Sequence, residues 1–205
     1  MRRWVCRGRR CRRRCATLTL LCSPHLSDWT LLTTPVLVAG ATGDLGRRIV
    51  RELLVLDSRV RVLTRRGSGH ARRLYGDDPR LEILEAEYTD RAALTAALTG
   101  MTTVVSAVSG TRSVIIDAQR ALLVEAVAAG VARFIPSDYS SDYRSITVGS
   151  NRNFELRREF AASLDAAPIR ATSILNGAFT DMLTGQAPLI VFKYARVLLA
   201  SSPWW

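Results

Sequence analysis

At 205 residues, with 48% apolar side chains and only 7 prolines, the chain is long enough to close one full hydrophobic core and too apolar for a disordered polypeptide. Its formal charge of +11 suggests nucleic acid until it is mapped: residues 1–34 carry +7, leaving +4 for everything after them. No apolar run reaches the roughly 18–20 uncharged residues of a membrane-spanning helix, so a soluble body without a specific nucleic-acid partner is expected.

Residues 1–34 hold eight arginines within their first fourteen positions and all four cysteines, Cys6, Cys11, Cys15 and Cys22. The cysteine spacing lacks the paired C-x-x-C knuckles of a zinc site, and no metal site is expected. Three readings remain for this segment. It is a targeting sequence with a short apolar stretch from Ala16 to Cys22, a basic arm for acidic surfaces, or a disordered extension from a misassigned start. The expectation taken forward is the disordered tail or misassigned start. A body without cysteine needs no oxidising compartment and points to the cytoplasm.

From Pro35 onward strand and helix signals alternate. Pro35–Ala39 is a continuous apolar run, as in a strand covered on both faces. Gly40, Gly43 and Gly46 follow in G-x-x-G-x-x-G spacing and open a helix, Asp44 to Leu56, whose inner face reads Leu45, Ile49, Leu53 and Leu56. A second strand spans Arg59–Thr64, and a polar loop with a short helix runs from Arg65 to Pro79. A third strand spans Leu81–Ala86. Asp90 is placed to cap a helix through Leu98, which Gly100 ends. A fourth strand, Thr103–Ala107, leads through Val108-Ser109-Gly110 into a long helix, Ser113 to Ala129, closed by Gly130. Val131–Pro136 is a fifth strand, Ser150 or Asn151 opens a helix through Leu164, and Ile169–Leu175 is a sixth strand. The apolar stretch 187–200 reads as a core helix or a hairpin. This β-α order predicts a Rossmann-type, doubly wound parallel sheet over residues 35–205.

The glycine turn between a buried strand and a helix start is a site for a pyrophosphate. Glycine lets the phosphate reach the backbone, and the helix N-terminus offers unpaired N–H groups and a positive dipole end. At the end of the second strand no Asp or Glu stands ready for a ribose 2′-hydroxyl. Arg65 and Arg66 stand there instead and suit a 2′-phosphate, so NADP is the expected cofactor and NAD the alternative. Small residues Ser106, Ala107, Val108 and Ser109 at the end of the fourth strand let a cofactor cross the sheet. Ser137, Asp138 and Tyr139 end the fifth strand, where substrate chemistry occurs in such sheets. No Tyr-x-x-x-Lys pair exists, the sole lysine being Lys193. Arg157 cannot give up a proton, though it can polarise a carbonyl or hold a phosphate. His25 and His70 are expected in solvent.

Taken together, Gly40-Ala41-Thr42-Gly43-Asp44-Leu45-Gly46, Leu63-Thr64-Arg65, Arg133 through Tyr139, Phe154-x-x-Arg157 and Thr172 through Phe179 resemble the NmrA-like branch of the atypical short-chain dehydrogenases/reductases, related to isoflavone-reductase-like proteins. The resemblance implies that Gly40, Thr42, Gly43, Asp44, Leu45, Gly46 and Arg65 meet the cofactor. It implies a substrate pocket around Ser137, Asp138, Tyr139, Asn176 and Phe179. In reductase members of the family a lysine of the Phe-x-x-Lys motif assists catalysis, and Arg157 occupies that position here. The function expected is an NADPH-dependent reductase of a small carbonyl or aromatic substrate, with Tyr139 or a water as proton source. The alternative is a non-catalytic redox sensor that binds the dinucleotide and regulates a protein partner. The family continues into a substrate-covering region, so the C-terminal substrate region is expected to be truncated.

Overall fold

The computed structural model describes residues 34–67, 69–177, 179, 190–191 and 196–197. Strand β1 (Val36–Ala39) is buried at every position. It is flanked by β2 (Val60–Thr64) and β4 (Thr103–Ser106), with β3 (Leu81–Glu85), β5 (Arg133–Ile135) and β6 (Arg170–Ala171) completing a six-stranded sheet. The strand order is β3-β2-β1-β4-β5-β6, and every pairing in it is parallel. The chain reverses its direction of travel across the sheet between β1 and β4, where Ala39 lies beside Ser106. In open parallel sheets the crevice outside the carboxyl ends at such a reversal is where ligands bind.

The period-two alternation of β1 sorts two cores. Val36 and Val38 pack with Val60, Val62 and Val105 on one face, beneath Val50 of helix α1 (Asp44–Val55) and Ala71 of α2 (His70–Tyr75). Leu37 and Ala39 face the other way, with Leu63, Val104 and Phe134. That face is covered by α3 (Arg91–Leu98), α4 (Gln119–Ala128) and α5 (Arg152–Asp165), which contribute Leu94, Leu122 and Phe160. Each fully buried aliphatic chain contributes about 1.5–3 kcal/mol, so the two layers together hold the sheet.

Local chemistry sets the helix limits. Asp90 Oδ1 accepts from the Ala93 amide at 3.0 Å, and Asn151 Oδ1 accepts from Asn153 and Phe154. Gly100 and Gly130 follow their helices with φ of 76° and 72°.

Several expectations need correction. The buried line of α1 is Gly46 and Val50, flanked by half-buried Ile49, Leu53 and Leu54, while Leu56 is 51% exposed. The long helix after β4 begins as a π-helical stretch, Ser113–Ala118, before α4 continues it. The sixth strand pairs over only Arg170 and Ala171, against Arg133 and Phe134. Its partner β5 ends at Ile135 because Pro136 has no N–H to give the ladder. Within 187–200 the structure describes an antiparallel pair, β7 (Ile190–Val191) and β8 (Arg196–Val197), which matches the hairpin option; the rest of that stretch and residues 1–33 lie outside the described residues.

Candidate functional site

The three glycines of the first turn do different work. Gly40 has φ 77°, and a Cβ there would sit 2.5 Å from the Ala107 carbonyl oxygen. A Cβ on Gly46 would sit 2.2 Å from the Gly40 oxygen. Those two positions are glycine because backbone meets backbone. Gly43 is exposed and extended, with φ −73° and ψ 169°, and its nearest constraint is the Gly40 oxygen at 3.3 Å. Gly43 N–H donates to the Gly40 carbonyl at 3.1 Å, and the Gly43 carbonyl accepts from Arg47 N–H at 2.9 Å. The next amides, of Asp44, Leu45 and Gly46, make no backbone hydrogen bond among the described residues. They form the free amide end of α1, an anion site by geometry and dipole. The Asp44 carboxylate would repel an anion there, but Arg47 and Arg48 pair with it at 3.1 and 3.2 Å.

From this turn a cleft of about 540 Å³ crosses the carboxyl ends of the strands. Gly40, Thr42, Gly43, Asp44 and Leu45 line its middle, and Leu63, Thr64, Arg65 and Tyr88 line one end. Arg65 has no hydrogen-bond or ion-pair partner among the described residues, whereas Arg66 is held by Asp90 at 2.5 Å and does not line the cleft. Burial pushes the Tyr88 hydroxyl up to about 12, against the opposing pull of the Arg65 charge.

The other end is built from the loops after β4 and β5, the π-helical stretch, α5 and the chain after β6. Ala107, Val108, Ser109, Val114, Ala118, Ser137, Tyr139, Arg157 and Phe179 line it. The walls are tied together. Ser137 Oγ donates to the Val108 carbonyl at 2.5 Å, and Ser137 N–H donates to Gln119 Oε1 at 3.0 Å. Gln119 Nε2 in turn donates to the Ile115 carbonyl at 2.7 Å. The Tyr139 hydroxyl is buried without a hydrogen-bond partner among the described residues. Burial first, and then the negative charge of Asp138, raise it to about 12, so at neutral pH it carries its proton. Arg157 Nε donates to the Asp138 carbonyl at 3.2 Å and Nη1 donates to the Asn153 carbonyl at 3.1 Å. Burial lowers the pKa of Arg157, while the charge of Asp138 works the other way.

The structure gathers most of the expected residues into this one cleft and leaves others beside it. Gly46 packs under the turn, and Ser106 is fully buried in the strand with no hydrogen-bond partner for Oγ among the described residues. Asp138 does not line the cleft. It is 2% exposed and accepts from the Tyr143 hydroxyl at 3.1 Å. Burial raises its pKa, with hydrogen bonds from Ser173 and Tyr143 and the Arg157 charge pulling it down. Asn176 is exposed and outside the cleft, and His70 is exposed. Sequence reasoning passed over Tyr88, Tyr143 and Gln119. Gln119 alone carried a signal, as an amide on a helix face otherwise made of Ile115, Ile116, Leu122 and Leu123. Among the described residues no group of three or more His, Cys, Asp or Glu could hold a metal, and no helix is long and apolar enough to cross a membrane.

A parallel sheet of this order, with a glycine turn and a free helix N-terminus at its point of reversal, defines a Rossmann-type α/β domain. The chain belongs to the NmrA-like family, whose model matches residues 33–194. It is 30% identical over 173 residues to pinoresinol reductase 1 of Arabidopsis thaliana, covering 77% of this chain and 53% of that protein. It is 28% identical over 166 residues to bifunctional pinoresinol-lariciresinol reductase 2 of Thuja plicata, covering 73% and 51%. The structure of AtPrR2 with NADP+ and (+)pinoresinol superposes with a TM-score of 0.66 at 29% identity, over 76% of this chain and 54% of that one. The binary complex of leucoanthocyanidin reductase with NADPH from Vitis vinifera gives 0.60 at 25% identity, over 69% and 49%. The chain spans about half the length of the curated relatives it matches.

Proposed function

We propose that this chain forms the NADPH-binding core of a reductase that acts on a small carbonyl or aromatic molecule. The observation that carries the reading is one cleft lined at one end by Arg65, whose guanidinium has no partner among the described residues, and at the other by Tyr139 and Arg157. The names of the relatives, pinoresinol reductases among them, and the NADP+ in the AtPrR2 structure support it.

The donor set fits that cofactor. The amides of Thr42, Asp44, Leu45 and Gly46 would hold the pyrophosphate, and Arg65 the 2′-phosphate; Arg66 stands ready as a second cation only if Asp90 releases it. NADPH bound there supplies a hydride. The small residues Ala107 and Val108 leave room across the sheet, and Val114, Ala118 and Phe179 form an apolar wall for an aromatic substrate. Tyr139 donates the proton. Arg157 has two of its N–H directions committed to carbonyls and turns the rest to a substrate oxygen, polarising it without giving up its own proton. Ser137 fixes the loop that carries Tyr139, and Asp138 steadies Arg157 from behind. Phe179, on the chain leaving β6, borders the substrate side. A cysteine-free stretch from residue 35 to 205 suits a cytoplasmic setting.

Mixing the protein with NADPH and a panel of aldehydes, quinones and aryl-alcohol precursors tests the proposal. Substrate-dependent loss of NADPH absorbance is expected; none with any substrate defeats the reductase. Arginine at the Phe-x-x-Lys position favours one other reading, a redox sensor with a protein partner. A sensor would distinguish NADP+ from NADPH by about tenfold, or about 1.4 kcal/mol, with no turnover.

A further inference from the structure

A phosphate-binding turn has to show its amides to the ligand and hide its carbonyls. Two carbonyls of this turn are hidden by different means. The Gly40 carbonyl is taken within the turn by Gly43 N–H. The Ala41 carbonyl accepts a hydrogen bond from the Tyr75 hydroxyl at 2.5 Å, across 34 positions of sequence. Tyr75 is the last residue of α2, a six-residue helix bounded by Gly69 and Gly76, both at positive φ. Its half-buried ring packs on the core face shared by Ile49, Leu53 and Leu81. The other side of Tyr75 lines a separate groove of about 490 Å³ with Arg47 and Arg51 of α1, so the ring lies between that groove and the glycine turn.

The peptide bond is planar and trans, so the carbonyl of one residue and the N–H of the next point in opposite directions. The structure has no cis peptide among its described residues. Fixing the Ala41 carbonyl toward Tyr75 therefore fixes the Thr42 N–H the other way. Thr42 lines the cleft, and its N–H has no backbone partner among the described residues. We propose that Tyr75 is a positioning residue for the anion site: its hydroxyl clasps the Ala41 carbonyl and so aims the Thr42 amide at a bound pyrophosphate. The hydroxyl also withdraws a partial negative charge from the mouth of the cleft. The assignment of the anion as the pyrophosphate of NADPH rests on the function proposed above; the clasp itself does not.

Full-length Tyr75→Phe, which removes one oxygen and keeps the ring, tests both parts. In protein without cofactor, exchange of the Gly43 and Arg47 amides, the hydrogen-bonded ones of the turn, should quicken by about fivefold while β4 and β5 stay as protected as in the parent. Unchanged exchange in the turn overturns the clasp whatever the cofactor. By calorimetry, NADPH should bind the variant about three- to tenfold more weakly, the worth of one hydrogen bond. Adenosine 2′-monophosphate, which lacks the pyrophosphate, should change by less than about twofold. Equal losses for both ligands would mean general loosening and overturn the positioning role. A parent that binds neither ligand defeats the cofactor reading and the aiming of Thr42 at its pyrophosphate, and the exchange result still decides the clasp.

Discussion

Alanine substitution at the three turn glycines should separate packing from binding. At Gly46 the new methyl carbon would lie 2.2 Å from the Gly40 oxygen and 2.8 Å from Ala41 Cα, both backbone atoms that cannot rotate aside. Such an overlap costs about 3 kcal/mol, because α1 must slide off the turn to relieve it. For a domain of this size that is a fall of roughly 6–12 °C in melting temperature. At Gly40 the contact is 2.5 Å to the Ala107 oxygen, and the φ of 77° adds about 1–2 kcal/mol of left-handed strain. At Gly43 the backbone is already extended and the nearest atom is 3.3 Å away, so the change should stay within about 0.5 kcal/mol. Gly43 lines the cleft beside the free amides of α1, so the added methyl should weaken NADPH by about tenfold or more. Circular-dichroism melts and calorimetric titrations read the two effects separately. The reasoning is refuted if Gly43→Ala melts as low as Gly46→Ala, or if it melts like the parent and binds NADPH equally well.

Arg65→Ala should cost NADPH affinity about tenfold to a hundredfold and leave NADH unchanged, since only the former offers a phosphate to the guanidinium. Arg66→Ala, already paired with Asp90, should alter the ratio little; equal losses from both variants would assign the wrong arginine. Tyr139→Phe removes a hydroxyl that makes no hydrogen bond among the described residues, so stability should hold within about 0.5 kcal/mol while turnover falls about 10²- to 10⁴-fold. Full turnover in that variant would exclude Tyr139 as proton donor. Folding raises the pKa of Asp138, chiefly by burial, so the native state binds this proton more tightly than the unfolded chain does. The resulting stability is complete below the unfolded carboxyl value of about 3.9 and is lost as pH rises through the raised native one. Urea unfolding should show the parent losing stability relative to Asp138→Asn across that interval, and parallel pH curves would count against a raised native pKa.

The order of elements and the glycine turn were legible because they are local. Val36–Ala39 declares its burial by being uniformly apolar, and Gly40, Gly43 and Gly46 stand at fixed offsets from it. Asp90, Asn151, Gly100 and Gly130 announce helix ends through hydrogen bonds and dihedral angles spanning a few residues. A sixth strand of two residues was not legible, because its length depends on where Pro136 stops its partner.

What sequence by itself determined is the sheet's parallel, doubly wound character and the place of its glycine turn, both following from periodicity and short-range spacing. Only tertiary structure decided which of two adjacent arginines is held by Asp90, since Asp90 lies 24 positions from Arg66. It also separated the glycine that faces outward from the two locked by backbone, and gave the Ala41 carbonyl its partner in Tyr75. Those outcomes depend on contacts between residues distant along the chain, and no window of sequence contains both members of such a pair.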